Sequence, residues 1–243
     1  MRAFLLCKIG SFVSYYSMSI FSGIYVSQKS SREDVARNLQ ICSMIHFGVC
    51  ILNTVFSAID IIMVTDPSFT FGKINLVRYL EWTICSPLMV MEVCIAQGTP
   101  LVQTGFIAIL TILFCMCGII TAYTNVMWVK IVVEVNGCIA CIAVVYYLWS
   151  HTFYSFRSGN KRAIAGLFNT GIMVCLWPMY VLSWSLGPDM LYKINAKTEL
   201  LIQNFLSIFV KSMGLSYVVF FSKEDLIEPF ANIFITIMSF VGI

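Results

Sequence analysis

The sequence predicts an all-α membrane protein, a bundle of seven transmembrane helices, and three observations carry that reading. The 243-residue chain is 59% hydrophobic and only 11% charged, with a mean hydropathy of +0.87, whereas a soluble chain carries about a quarter charged residues. Apolar runs of the ~20 residues needed to cross a bilayer occur seven times. The breaks between them are short and rich in turn residues, which implies sequential antiparallel neighbours.

The spans fall at roughly 3–27, 36–64, 75–97, 100–123, 126–150, 162–186 and 198–222. The first run is long enough to be a helix of the mature protein rather than a cleaved leader. "QKSSREDVAR" opens the second, "TDPSFTFGK" the third, "AQGTP" the fourth, "YTN" the fifth, "SFRSGNKR" the sixth and "LGPDMLYKINAK" the seventh. Residues 1–222 therefore form one transmembrane domain. In residues 223–243 the apolar stretch after Pro229 is 14 residues long, too short to span. It is expected at the interface, against a partner subunit, or as the stub of a longer chain.

Two basic clusters, Lys29/Arg32/Arg37 and Arg157/Lys161/Arg162, share one side, which the positive-inside rule makes cytoplasmic and which leaves the N-terminus outside. Counted over all Lys and Arg except Lys211, the two sides are level at seven each. The ten cysteines lie in apolar runs, where cysteine acts as a small apolar residue. "CIAC" and "CMC" lack the His or acidic neighbours of a zinc site. Cys7 is a candidate for an intersubunit disulfide.

Ionisable residues at membrane depth cost at least about 2.5 kcal/mol each at a helix centre, so each marks a functional position. Here they are Asp60, Glu81, Glu92, Glu134 and Lys211. Lys211 lies fourteen residues into the seventh span, too deep to snorkel. Burial favours its uncharged amine, a nucleophile that forms a Schiff base with an aldehyde. The protonated product needs a nearby carboxylate, and Glu81 in "RYLEWTICSPLMVMEV" is the candidate. A plain Lys211–Glu81 ion pair between helices is the alternative. In the sixth span, "LWPMYVLSWSLGP" sets Trp177, Tyr180 and Trp184 on one helical face.

These three segments together resemble the microbial (type 1) rhodopsins, seven-helix proteins that bind retinal on a lysine of the last helix. The resemblance implies all-trans retinal on Lys211, a sandwich of Trp82 and Trp177, and a wall completed by Tyr180 and Trp184. It also implies Glu81 as counterion with Arg78 on its outer side, an interfacial arginine being the competing reading. Cys85, Ser86, Phe114 and Gly118 would line the chromophore. Most members carry an aspartate four residues before the lysine, where this chain has Ser207, so protonating Glu81 is expected to shift absorption to the red.

A glutamate counterion, the "EW…CSP" pattern, "LGP" and "WVKIVVEVNG" are most similar to the channelrhodopsin branch. That implies a light-gated passive ion channel in a plasma membrane, commonly a dimer or trimer, moving a small ion and binding no nucleic acid. The second span offers His46, Asn53, Ser57 and Asp60 as pore candidates, His46 also reading as a hydrogen-bonded core histidine. With few carboxylates there, selectivity leans slightly to anions. Glu134, four residues after Lys130, is expected in a local ion pair or an outer vestibule.

Glu92 supports the rival. It lies eleven residues after Glu81, about 16 Å along a helix, where outward proton pumps of the family keep the acid that reprotonates the Schiff base. Its competing reading is a glutamate with its head in the interface. A photosensory rhodopsin without transport is the third class. No catalytic triad, phosphate loop or metal cluster points to an enzyme.

Overall fold

The seven apolar runs become seven helices in a computed structural model, which describes residues 2–28, 35–65, 71–157, 163–188 and 190–212. They are α1 (Arg2–Gln28), α2 (Val35–Thr65), α3 (Phe71–Ala96), α4 (Leu101–Tyr123), α5 (Met127–Arg157), α6 (Ala163–Ser185) and α7 (Ala196–Ser212). Residues 213–222 of the seventh predicted span, the segment 223–243, and Lys29, Arg32, Lys161 and Arg162 lie outside the described residues.

Two boundaries move outward from the expected spans. Helix α5 continues seven residues past position 150, ending at Arg157 with its guanidinium 4.5 Å from the centre of the Phe153 ring, and α3 starts four residues early. A helix need not stop where its apolar run stops, because interfacial polar residues tolerate helical backbone and Arg stacks on an aromatic face.

The end of α3 is set by "AQGTP". Gly98 has φ +76°, its N–H donates to the Ile95 carbonyl at 3.0 Å, and that of Thr99 donates to Cys94 at 2.9 Å. This glycine-terminated cap satisfies carbonyls that the helix leaves open. Pro87 and Pro178 sit inside α3 and α6. Pro87 is buried and Pro178 faces outward; such prolines are tolerated in membrane helices because neighbouring groups re-satisfy the carbonyls they free.

Each helix packs on the next, α1 closes the ring against α7, and α3 touches α6 across the interior. Val49, Cys85, Val90, Val144, Leu148 and Trp177 form the centre of the core, with Val210 from α7. The outer faces carry exposed Leu113, Ile131, Val135, Ile139 and Ile142, a surface suited to lipid. Gln97, Thr152 and Thr170 are hydrogen-bonded together where α3, α5 and α6 meet. All ten cysteines are free thiols, Cys7 among them and half-buried.

Candidate functional site

Helix α7 presents Glu199, Gln203, Ser207 and Lys211 at intervals of four residues, and all four are buried. Such spacing stacks side chains on one helical face. Lys211, 4% exposed, donates from Nζ to Glu81 Oε1 in a close ion pair and to Asn53 Oδ1 at 2.7 Å. Its Nζ also lies 5.5 Å from the centre of the Tyr15 ring. The amine is thus held by α1, α2 and α3, and Asn53, expected to line a pore, is its second acceptor.

Below Glu81 on α3, Arg78 is 3% exposed, its guanidinium 5.3 Å from the Trp82 ring and 3.4 Å from Glu199 Oε1. An arginine this buried is not the interfacial residue of the competing reading. Gln203 donates to the same Glu199 oxygen at 3.0 Å and to Ser183 Oγ at 3.3 Å. Glu199 and Gln203 escaped the sequence reading.

Gly187 explains the "LGP" at the end of α6. A β-carbon there would overlap the Glu199 carboxylate and lie 3.0 Å from the Trp184 carbonyl oxygen. Gly187→Ala is expected to displace Glu199 from Arg78 and to destabilise by about 1–3 kcal/mol, the usual cost of overpacking. Thermal denaturation of the detergent-solubilised protein measures it, and an unchanged melting temperature would show that the carboxylate is not fixed there.

Helix α2 has a matching polar face. His46, Asn53, Ser57 and Asp60, with Cys50, are all buried and recur at the three- and four-residue steps of one helical face. Asp60 pairs with Lys8 of α1, a residue the sequence reading passed over. His46 Nδ1 lies 3.6 Å from Glu92 Oε2, and Glu92 is 2% exposed. Burial removes the interfacial reading of Glu92. His46, Asn53 and Asp60 are engaged with internal partners, His46 with Glu92, Asn53 with Lys211 and Asp60 with Lys8.

Beside Lys211 is a partly open cavity lined by Trp82, Ser86, Phe114, Trp177, Tyr180 and Lys211. A second shares Trp82, Phe114 and Tyr180 and continues to Gly118, Glu134 and Trp184. Together they make a long, largely apolar slot with aromatic side chains along it and one amine at its end. Phe114 stacks on Trp177 at 6.3 Å, and Trp82 meets Tyr180 edge-on at 5.0 Å. Gly118 leaves room for Tyr79, whose Cε1 would sit 3.2 Å from an added β-carbon. Tyr180 donates to Ser207 Oγ at 3.0 Å.

Two further site residues are placed by the packing. Cys85 is fully buried in the core rather than among the residues lining these cavities. Glu134, expected in a local ion pair or an outer vestibule, lines the far end of the slot with Gly137 and Cys138.

An apolar slot ending in a buried lysine, lined by α3 to α7 of a seven-helix bundle, defines the class of retinal-binding membrane proteins. The profile of the family described as "Bacteriorhodopsin-like protein" matches residues 6–220, and the chain belongs to this family of microbial rhodopsins, multi-pass membrane proteins that bind retinal as a lysine Schiff base and are not enzymes. Archaerhodopsin-2 of Halobacterium sp. strain aus-2 is 24% identical over 226 residues, 92% of this chain and 83% of that protein. Opsin-1 of Neurospora crassa is 24% identical over 144 residues, 55% of this chain but only 45% of Opsin-1. A cyanorhodopsin from Calothrix sp. NIES-2098 superposes with a TM-score of 0.78 at 18% identity, over 89% of this chain and 93% of that one. These relatives place the chain among the microbial rhodopsins without supporting the channelrhodopsin branch.

Proposed function

We propose that the chain is a light-driven outward proton pump, with all-trans retinal carried on Lys211, rather than the passive channel toward which its local motifs lean. The observation that carries this is the burial of Glu92 at 2% exposure, eleven residues along α3 from the Glu81 that holds Lys211. A pump needs an acceptor on one side of the switching amine and a donor on the other.

The slot fits the chromophore: long, aromatic-walled, and ending in one amine. Bound there, retinal supplies light absorption and an isomerisation that redirects the proton on Lys211 Nζ. Trp82, Trp177 and Tyr180 hold the chain of the chromophore. Glu81 Oε1 takes the proton from Nζ. Arg78, fixed by Glu199 and Gln203, sets the field on the outer side and favours onward release. Glu92 returns a proton to Nζ from the cytoplasmic side, so the net movement is outward.

Whole-cell voltage clamp of retinal-supplied cells tests the assignment, with sodium, potassium, chloride and protons exchanged in turn. A pump gives outward photocurrent of fixed direction and acidifies the medium. A current that reverses with one ion's gradient establishes a channel, and silence with intact visible absorption a sensor.

Glu81→Gln removes the charge beside Lys211 and the acceptor together. Absorption of the form still protonated at Nζ is expected to move to the red by tens of nanometres, since ~2–3 kcal/mol of ground-state ion pairing is lost, and photocurrent is expected to vanish. A visible absorption spectrum of the purified variant decides: no shift would remove Glu81 as counterion.

A further inference from the structure

Two buried groups that recognition of retinal does not use face each other across α2 and α3. His46 Nδ1 is 3.6 Å from Glu92 Oε2, and the other ring nitrogen, Nε2, is 3.5 Å from Cys50 Sγ. Cys42 Sγ donates to the Glu92 backbone carbonyl at 3.4 Å, which pins the two helices together at this level. His46 and Glu92 are 1% and 2% exposed, so neither is served by bulk water.

We propose that His46 and Glu92 form one composite proton store, in which the imidazolium of His46 holds the proton and the carboxylate of Glu92 balances its charge. This deepens the pump reading and rests on it. Both ring nitrogens face atoms able to accept: a carboxylate oxygen on one side and a sulfur on the other. A doubly protonated ring supplies an N–H to each, whereas a neutral ring meets both only if the Cys50 thiol turns its S–H toward Nε2; the carboxylate 3.6 Å from Nδ1 favours the charged ring. Pairing also offsets the cost that either charge would carry alone at this depth. The face of α2 that holds His46 continues through Cys50 to Asn53, seven residues on and about 10 Å along the axis, and Asn53 accepts from Lys211 Nζ at 2.7 Å. The store and the amine are therefore joined along one buried stripe.

When Lys211 Nζ has lost its proton to Glu81, the N–H bond at His46 Nδ1 breaks and its electron pair stays on the ring. The proton passes by way of Glu92 to the lone pair of Nζ. Neutral His46 with ionised Glu92 is left, one negative charge, and a proton from the cytoplasmic side restores the pair. Glu92 is the negative partner of the store, and His46 sets where the proton rests.

Solid-state ¹⁵N NMR of histidine-labelled protein reads the resting proton directly and needs no substitution at His46. The chain has two histidines, His46 and His151, and His151→Gln leaves one signal. An imidazolium signal from His46 is expected in the dark, with or without retinal, and its conversion to neutral imidazole in Glu92→Gln. In flash experiments on retinal-loaded protein, His46→Gln is expected to slow proton return to Nζ at least tenfold with the visible spectrum unchanged. A neutral His46 in the unsubstituted protein, with the infrared carbonyl band of a protonated Glu92, overturns the composite store. A photocurrent of the unsubstituted protein that reverses with one ion's gradient overturns the pump reading itself, so the two failures are told apart.

Discussion

Lys211→Ala is expected to abolish visible absorption in retinal-supplied membranes, leaving only the near-ultraviolet band of free retinal. A Schiff base requires a primary amine at the end of the slot, and Lys211 is the lysine that lines it. The same substitution strands Glu81, 7% exposed, without its cation. Breaking a buried pair from one side costs about 3–5 kcal/mol, so the variant is expected to be colourless and less stable. Adding Glu81→Gln removes the stranded charge and is expected to restore much of the stability but none of the colour. Absorption spectra and thermal melts of the single and double variants separate the two effects. Retained colour in Lys211→Ala would move attachment to another amine. Lys8, the other buried lysine among the described residues, is already paired with Asp60.

The helices were legible because a bilayer demands the same thing of every span: about 20 apolar residues bounded by turns. Their ends were less so. Helix α5 runs on to Arg157 because aromatic and polar residues at an interface continue a helix as readily as they end it. Lys211 and Glu81 stood out as charges in apolar runs, and a single lysine and a single early glutamate leave few ways to pair. The slot's aromatic wall was legible for a similar reason, since Trp177, Tyr180 and Trp184 follow helical spacing.

What sequence reading missed lay near helix ends, where a charge looks solvated. Glu199 sits in the first turn of α7 and Lys8 early in α1, yet both are buried and paired. A usable signal existed: Glu199, Gln203, Ser207 and Lys211 step by four along one face. Partner choice along α2 was not legible. The α2 residues His46, Asn53 and Asp60 form a stripe that suits a pore wall as well as a set of internal contacts, and only the packing of α2 against α1, α3 and α7 assigns each its partner. The proposed pump draws on that packing, because a pump needs such groups in sequence.

Glu92→Gln is expected to leave the visible spectrum within a few nanometres of the parent while lowering steady outward photocurrent about a hundredfold. The spectrum is spared because Glu92 is about 16 Å along α3 from Glu81, beyond strong influence on the amine. The current falls because a positioned acid accelerates proton transfer by about 10²–10⁴, and glutamine fills the same volume without a proton to give. The first turnover after a flash is expected to survive, since Glu81 still accepts; only the return step waits on water. A membrane-permeant weak acid should then restore turnover by delivering protons from the cytoplasmic side, which a merely structural defect would not allow. The fold is expected to tolerate the change, because a neutral glutamine beside a neutral His46 leaves no unpaired charge in the bundle. Steady current is read by voltage clamp, and the return step by recovery of absorption after a flash. Full steady current in this variant would mean that Nζ is reloaded by a route that bypasses Glu92.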